Sequence, residues 1–256
     1  VYITYKILDF PDLTVDGSFP FGAAITVRLI NGFGVPAILT LPIAFLGGAL
    51  VGICTGLIHV KLKVRDLLSG IIMMTGLYTI NLWVAGSGYV AIFDKENIFN
   101  NSFVNIITPG FLVNFKNVII IFLITMVAKY LLDWYMSTKS GFLLRAVGDN
   151  DTIVTSLGVD KGLVKIVGLS IANGLVSLSG CIYAQQQRSF EISIGTGAVV
   201  IGLASVIIGT SLFKKVTFFR VTSSVVVGSI LYKACVAVAT VSYTHLRAHE
   251  TEADLV

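Results

Sequence analysis

Gly141-Phe-Leu-Leu-Arg145-Ala-Val-Gly148-Asp-Asn150-Asp-Thr-Ile-Val-Thr-Ser-Leu157-Gly158-Val-Asp160 is a polar, glycine-punctuated stretch set between two long apolar runs, at about 116–134 and 163–186. Each run has about the 20 residues an α-helix needs to cross a hydrocarbon core of ~30 Å. The stretch is therefore a loop joining two membrane spans, and that reading sets the fold class of the whole chain.

Composition agrees. Hydrophobic residues make up 55% of the 256 and charged residues only 12%, where a soluble domain carries about a quarter charged; the mean hydropathy is +0.88. The expectation is an all-α, polytopic transmembrane bundle of about 7–8 spans. After an N-terminal remnant at about 1–10, the apolar runs fall near 19–33, 36–60, 67–86, 116–134, 163–186, 194–213 and 217–240. The first is short and carries Arg28, with Pro11 and Pro20 as breakers, so it reads as a broken or tilted helix.

Lys and Arg cluster at Lys61, Lys63 and Arg65, at Lys139, Arg145 and Lys161, and at Lys214–Arg220. Placing these clusters on the cytoplasmic side lets the spans alternate without conflict. The net charge of +4 is then a topology signal, with no nucleic-acid footprint. Trp83 falls at the outer boundary, as an aromatic-belt anchor does.

Small and polar residues inside the runs are the next layer. Gly48, Gly52 and Gly56 recur every fourth residue, so they share one helix face and admit close approach of another backbone. Asp12, Asp16, Ser18 and Arg28 surround the first span, and Asn173, Gln185, Gln186, Gln187, Arg188 and Glu191 lie toward the end of the 163–186 run. Such groups near membrane depth are costly unless they pair or face water. Asp12, Asp16, Ser18, Asn173 and Glu191 are the candidates for a translocation path; the plainer reading of each is snorkelling or loop solvation. Asp12-Leu-Thr-Val-Asp-Gly-Ser18 and Glu191-Ile-Ser-Ile-Gly-Thr-Gly197 share an acidic-apolar-hydroxyl-apolar pattern. The runs that follow them point in opposite directions, as in inverted repeats; coincidence in an apolar sequence is the competing reading.

Several chemistries find no residues here. No Gly-x-x-x-x-Gly-Lys-Ser/Thr phosphate loop occurs, so ATP is not bound in that way. His59 is the sole histidine before residue 241, and no catalytic constellation stands out. No catalytic residue, metal or cofactor is therefore assigned. Cys54, Cys181 and Cys235 lie in apolar runs as small packing residues. The chain begins at Val1 inside a helix, and Val241–Val256 switches abruptly to polar sequence. That tail resembles translated adaptor read-through; His245 and His249, at i and i+4, are set aside with it and 241–256 is excluded from fold reasoning.

The 141–160 stretch resembles the coupling loop of bacterial ABC-importer permeases of the branched-chain amino acid and ribose type. That loop reads Gly-x-x-x-Arg-Ala-x-Gly-x-Asn, then Leu-Gly-hydrophobic-Asp/Asn. Gly141, Arg145, Ala146, Gly148, Asn150, Leu157 and Gly158 fall in register. Phe190–Gly209 looks like the glycine-rich span of the same family, and Leu8–Phe19 resembles its tryptophan and aromatic amino acid subgroup. The resemblance implies a permease domain at 1–240, incomplete at both ends, in a bacterial inner membrane. It implies an ABC ATPase subunit at the loop of about 135–162, an extracytoplasmic solute-binding protein, and a second permease subunit. The solute would be an amino acid, an aromatic one foremost, with branched-chain amino acids, sugars and nucleosides left open.

Local chemistry fits such a loop. Gly141 would release the chain from the preceding span, and Phe142, Leu143, Leu144, Ala146 and Val147 would give apolar contact around Arg145. Asp149, Asn150 or Asp151 would cap a second short helix, Gly158 would end it, and Asp160 would cap the next span. The alternative function is an ion-gradient-driven secondary transporter, for which Asp12, Asp16 and Arg28 are the only relay candidates; a channel or scaffold is a further alternative.

Overall fold

A backbone surrounded by hydrocarbon must satisfy its own polar groups, which favours helix. The computed structural model accordingly is helical almost throughout. It describes residues 1–100, 115–156, 158–214 and 221–253, with 151–153 and 242–253 as backbone only. A short π-helical segment at Tyr2–Ile7 leads to α1 (Val15–Phe33), a 3-10 turn at Ala37–Leu39, α2 (Thr40–Lys61), α3 (Asp66–Ala85) and strand β1 (Tyr89–Ala91). Then come α4 (Lys116–Met136), α5 (Lys139–Asp149), α6 (Asp151–Ser156), α7 (Lys161–Gln187), strand β2 (Ser189–Glu191), a 3-10 turn at Ile192–Gly195, α8 (Ala198–Leu212) and α9 (Val221–Ala253).

Among the described residues, six segments are long and apolar enough to span a bilayer: Ala37–Lys61, Asp66–Ala85, Lys116–Met136, Lys161–Gln187, Ile192–Leu212 and Val221–Val241. α1 is not one of them, diluted as it is by Asp16, Ser18, Arg28 and Asn31. It is nonetheless one unbroken helix, which removes the broken alternative and leaves the tilted one. Pro11 precedes it, and Pro20 lies inside it at the cost of a single backbone bond. Neighbouring helices cover α1, leaving Ala23, Ala24, Val27 and Ile30 buried, so it has little need of a lipid-like surface. α9 continues as helix into the tail excluded above, as far as Ala253, and from residue 242 onward its side chains lie outside the described residues.

The chain divides into two compact units, with the division falling between Val199 and Val200. In the first, α7 packs along α2 and α1, and α3 packs on α1. β1 and β2 pair antiparallel, Val90 opposite Phe190, which ties the segment after α3 to the segment after α7. α4 is the outlying helix. Phe122, Leu123 and Trp134 stand exposed on it, and an apolar crevice of about 580 Å³ lined by Leu46, Val127, Leu131 and Leu175 separates it from α2 and α7. Such a surface suits acyl chains. In the second unit α8 and α9 cross closely, with Gly209 against the Ser224 carbonyl and Gly228 against those of Ser205 and the Gly209 backbone.

The α2–α7 contact depends on the absence of side chains. A Cβ at Gly48 would strike Ser177 and the Asn173 carbonyl; one at Gly52 would strike the Leu169 carbonyl; one at Gly56 would lie 3.0 Å from Ile166 Cα. Gly76, on the exposed side of α3, has open space instead. Gly52→Val is therefore expected to lower stability by about 2 kcal/mol or more through overpacking, read by unfolding in a detergent–SDS titration. Gly76→Ala should be neutral or slightly stabilising.

Candidate functional site

α7 turns a column of every fourth residue toward α1 and α2: Leu169, Asn173, Ser177, Cys181 and Gln185, all buried. Its polar members are bonded across to neighbours. Ser177 donates to the Ala44 carbonyl (2.7 Å). The Gln185 amide nitrogen donates to Thr40 Oγ1 (2.8 Å) and the Ala37 carbonyl (3.2 Å), while its oxygen accepts from the Ile98 N–H (3.1 Å). Asn97 donates to the Gln185 carbonyl (3.2 Å), so one residue clasps the start of α2 and the 92–100 segment together.

Asn173 stands at the centre of the deepest polar group. Its amide nitrogen donates to Asp12 Oδ2 (2.8 Å) and the Leu169 carbonyl (3.1 Å), and its oxygen accepts from Ser18 Oγ (2.7 Å). Asp12 Oδ1 accepts from the Thr14 N–H (2.9 Å), and the Thr14 hydroxyl lies 3.2 Å from that of Thr55 on α2. Three of the expected path residues, Asp12, Ser18 and Asn173, thus meet, bonded through Asn173 and held further by Leu169 and Thr14.

Asp16 is engaged elsewhere. Its Oδ1 accepts from the Val199 N–H (2.8 Å) and its Oδ2 from the Gly197 N–H (3.2 Å), so it caps the start of α8 from a distant helix. A carboxylate at a helix N-terminus is favourably placed both for these donors and for the macrodipole. Gly195 sits against the Asp16 carbonyl and the Pro20 ring. The two segments that echo each other in sequence therefore touch in space. Glu191 stands apart, exposed on β2 and accepting from the Ser193 hydroxyl. Arg28 is exposed on α1.

Beside Asp16 lies a cavity of about 290 Å³, walled by Gly17 and Pro20 of α1, Met74, Thr75, Tyr78 and Asn81 of α3, and Ile192, Ser193 and Thr196. Asn81 is fully buried there. It was not among the sequence candidates, though a lone amide inside the apolar 67–86 run was a signal that could have found it.

The 141–160 stretch forms two short helices. Thr138 caps α5, its hydroxyl accepting from the Gly141 N–H (3.4 Å). Gly141 therefore does not release the chain from a helix; it sits within α5, buried against the Tyr135 carbonyl and Met136 backbone. Leu144 and Val147 also face inward. The outward face carries Phe142, Arg145, Asp149 and Asn150, with Leu143 and Ala146 half-buried at its edges. Gly148 has no room for a Cβ because the Ile7 carbonyl occupies that space, and Leu144 and Leu8 together cover Gly168 of α7. Gly158 takes a left-handed φ of 74° after α6. Asp160 caps α7, Oδ1 accepting from the Gly162 N–H (2.8 Å). Leu157 lies outside the described residues.

Gly162 also abuts Val60, so the start of α7 meets the end of α2. There His59 Nδ1 bonds the Val64 carbonyl (2.9 Å) and lies 3.1 Å from Asp66 Oδ1, holding the turn into α3. Lys61, Lys63, Arg65, Lys139, Arg145 and Lys161, all exposed, share this end of the first unit. The β1–β2 pair is at the other end of α7, about 40 Å away for a 27-residue helix.

The Asp12–Asn173 pair can be tested by exchange. Asn173→Leu should cost roughly 3 kcal/mol by leaving a buried carboxylate short of a donor. Asp12→Asn combined with Asn173→Asp recreates a donor–acceptor pair and should recover more than half of that loss in an SDS unfolding titration.

The family model of the branched-chain amino acid transport system permease component matches residues 1–247. A tyrosine transport system permease protein of Clostridioides difficile is 42% identical over 234 residues, covering 91% of this chain and 75% of that protein. An uncharacterised Rickettsia prowazekii protein is 29% identical, covering 83% and 71% respectively. The ribose import permease protein of Escherichia coli K12 is 26% identical, covering 77% and 60%. No solved structure matches significantly. Spanned by that family model and built of membrane-length helices, the chain belongs to the branched-chain amino acid transport permease family, the multi-pass permease subunits of ATP-driven importers.

Proposed function

We propose that this permease imports an aromatic amino acid, tyrosine or tryptophan foremost, and that α5 is the surface through which a separate ATPase subunit drives it. The two-faced character of α5 carries the reading. Its inner face is locked to the first unit at Leu144, Val147 and Gly148, while Phe142 and Arg145 stand free for a partner. A rigid docking helix needs both. Phe and Arg are also residue types enriched in protein interfaces, and Arg at their hot spots.

The seating of α5 supports a transmission role. Gly148 rests on the Ile7 carbonyl, and Leu144 and Leu8 meet on Gly168. Displacing α5 would therefore move α7 and the segment that leads to Asp12. The exposed cations gathered at the α5 end support a cytoplasmic placement of that end, within reach of an ATPase. The opposite end, with the β1–β2 pair and the exposed Trp83, would then face the external binding protein. Pairing with a second permease copy or a related subunit would complete the pore. Tyrosine or tryptophan is favoured by the named transport role of the C. difficile relative and by the Leu8–Phe19 resemblance.

A gradient-driven relay finds less support, because Asp12 and Asp16 each hold backbone or amide donors and Arg28 is exposed.

Arg145→Glu and Phe142→Asp should each lower ATP-dependent uptake about tenfold or more, the equivalent of losing one hot-spot contact. The permease should remain at normal levels in the membrane while the ATPase no longer co-purifies. Intact uptake and association in both variants would remove α5 from the coupling role. For the substrate, thermal-shift screening of the cognate binding protein should show stabilisation by tyrosine or tryptophan, about 2.7 kcal/mol at a ligand excess of 100 Kd. Stabilisation by ribose or leucine alone would overturn the aromatic assignment.

A further inference from the structure

The cavity beside Asp16 has a chemistry that the coupling role does not use. Asn81, fully buried on α3, donates its amide N–H to the Gly17 carbonyl (3.1 Å), and its own oxygen has no hydrogen-bond partner among the described residues. Turning the amide over would set oxygen against oxygen, so the Gly17 contact fixes which atom is left over. A buried acceptor without a donor is costly and calls for a cause.

The neighbouring groups point the same way. Thr75 directs its hydroxyl hydrogen to the Ile71 or Ile72 carbonyl of its own helix (3.0 and 2.9 Å), and Ser193 directs its own to the Glu191 carboxylate. Both therefore offer a guest lone pairs and no hydrogen. Asp16 adds a carboxylate, and only the Tyr78 and Thr196 hydroxyls can turn either way. Met74, Pro20, Ile192 and the Tyr78 ring make up the apolar part of the wall. A pocket rich in acceptors with an apolar side suits a cationic N–H donor attached to a hydrocarbon or ring. A sugar, which presents donors and acceptors in equal measure, is served less well. The volume is near the lower end of small-molecule sites.

We propose that this cavity is a transit site for the ammonium group of an amino acid, with Asn81 Oδ1 and the Asp16 carboxylate as its acceptors and Tyr78, Met74 and Pro20 against the side chain. This rests on reading the chain as an amino acid permease. The solute would stop here after leaving the external binding protein, so the site adds a second, weaker selection for the amine.

The test uses the permease assembled with its ATPase in lipid nanodiscs, without binding protein. Saturation-transfer NMR is recorded with L-tyrosine, tyramine and 3-(4-hydroxyphenyl)propionate. L-Tyrosine and tyramine should both show contact, and the propionate, lacking the amine, should bind about tenfold more weakly. Asn81→Leu should weaken tyrosine binding by a similar factor. Thr75→Val, whose hydroxyl bonds only its own helix, should weaken it more modestly and leaves the fold secure should Asn81→Leu fail to assemble. Equal signals from tyrosine and the propionate, or wild-type binding by both variants, would overturn the site. Uptake in the same preparation supplied with binding protein separates the two claims. Import of a sugar and of no amino acid refutes the substrate reading, whereas tyrosine import with no preference for amines in the cavity refutes only the transit site.

Discussion

Helices in a bilayer gain little by hiding apolar surface from one another, because lipid tails are as apolar as leucine. What holds this fold is the close approach of α7 to α1 and α2, and everything else in the first unit is arranged around it. The α2 glycines at 48, 52 and 56 bring two backbones together over a little more than two turns. At that separation short polar side chains on α7 can reach across, and Asn173, Ser177 and Gln185 do so. Dispersion and hydrogen bonding thus act on the same face, each made possible by the other. An added methyl would cost both, which is why small residues outnumber large ones along this seam.

On the proposed reading the same contact would also organise function. The Asp12–Asn173–Ser18 group fixes the chain before α1 to the middle of α7, while the beginning of α7 is covered by Leu144 of α5. α5, the helix proposed to receive the push of an ATPase, is thereby joined to the most buried part of the unit through packed elements. Asp16 connects α1 to the start of α8 in its turn. The cavity with the unpartnered Asn81 oxygen lies next to that connection, so movement of α1 would reshape it. Coupling and passage would then draw on one set of contacts.

Much of this was legible in the sequence, for physical reasons that vary by feature. Membrane helices announce themselves by length and apolarity, and Asp160 and Gly158 are local signals read within a turn of their own position. The every-fourth-residue glycines predict a face but not the helix that occupies it. The broken alternative for α1 failed because Pro20, Asp16 and Arg28 break the rule for a lipid-facing span, whereas a covered helix is under no such rule. Gly141 was assigned to the end of a helix because glycine most often stops one; here close packing on Met136 requires it inside α5. Leu144 and Val147 could not be told from Phe142 by composition, since which face turns inward depends on Leu8 and Gly168, far off in sequence. Asp16 capping α8 across 181 residues has no local signature at all.

The central claim is that α5 presents Phe142 and Arg145 to an ATPase while Leu144 is turned to the membrane unit. Site-specific cross-linking tests it directly: single Phe142→Cys, Arg145→Cys and Leu144→Cys variants, in a background with Cys54, Cys181 and Cys235 replaced, are treated with a short bifunctional thiol reagent in membranes containing the assembled transporter. Cross-links to the ATPase from positions 142 and 145, and none from 144, are the predicted pattern. Cross-linking from 144 as strong as from its neighbours, or none from any of the three, would contradict the account.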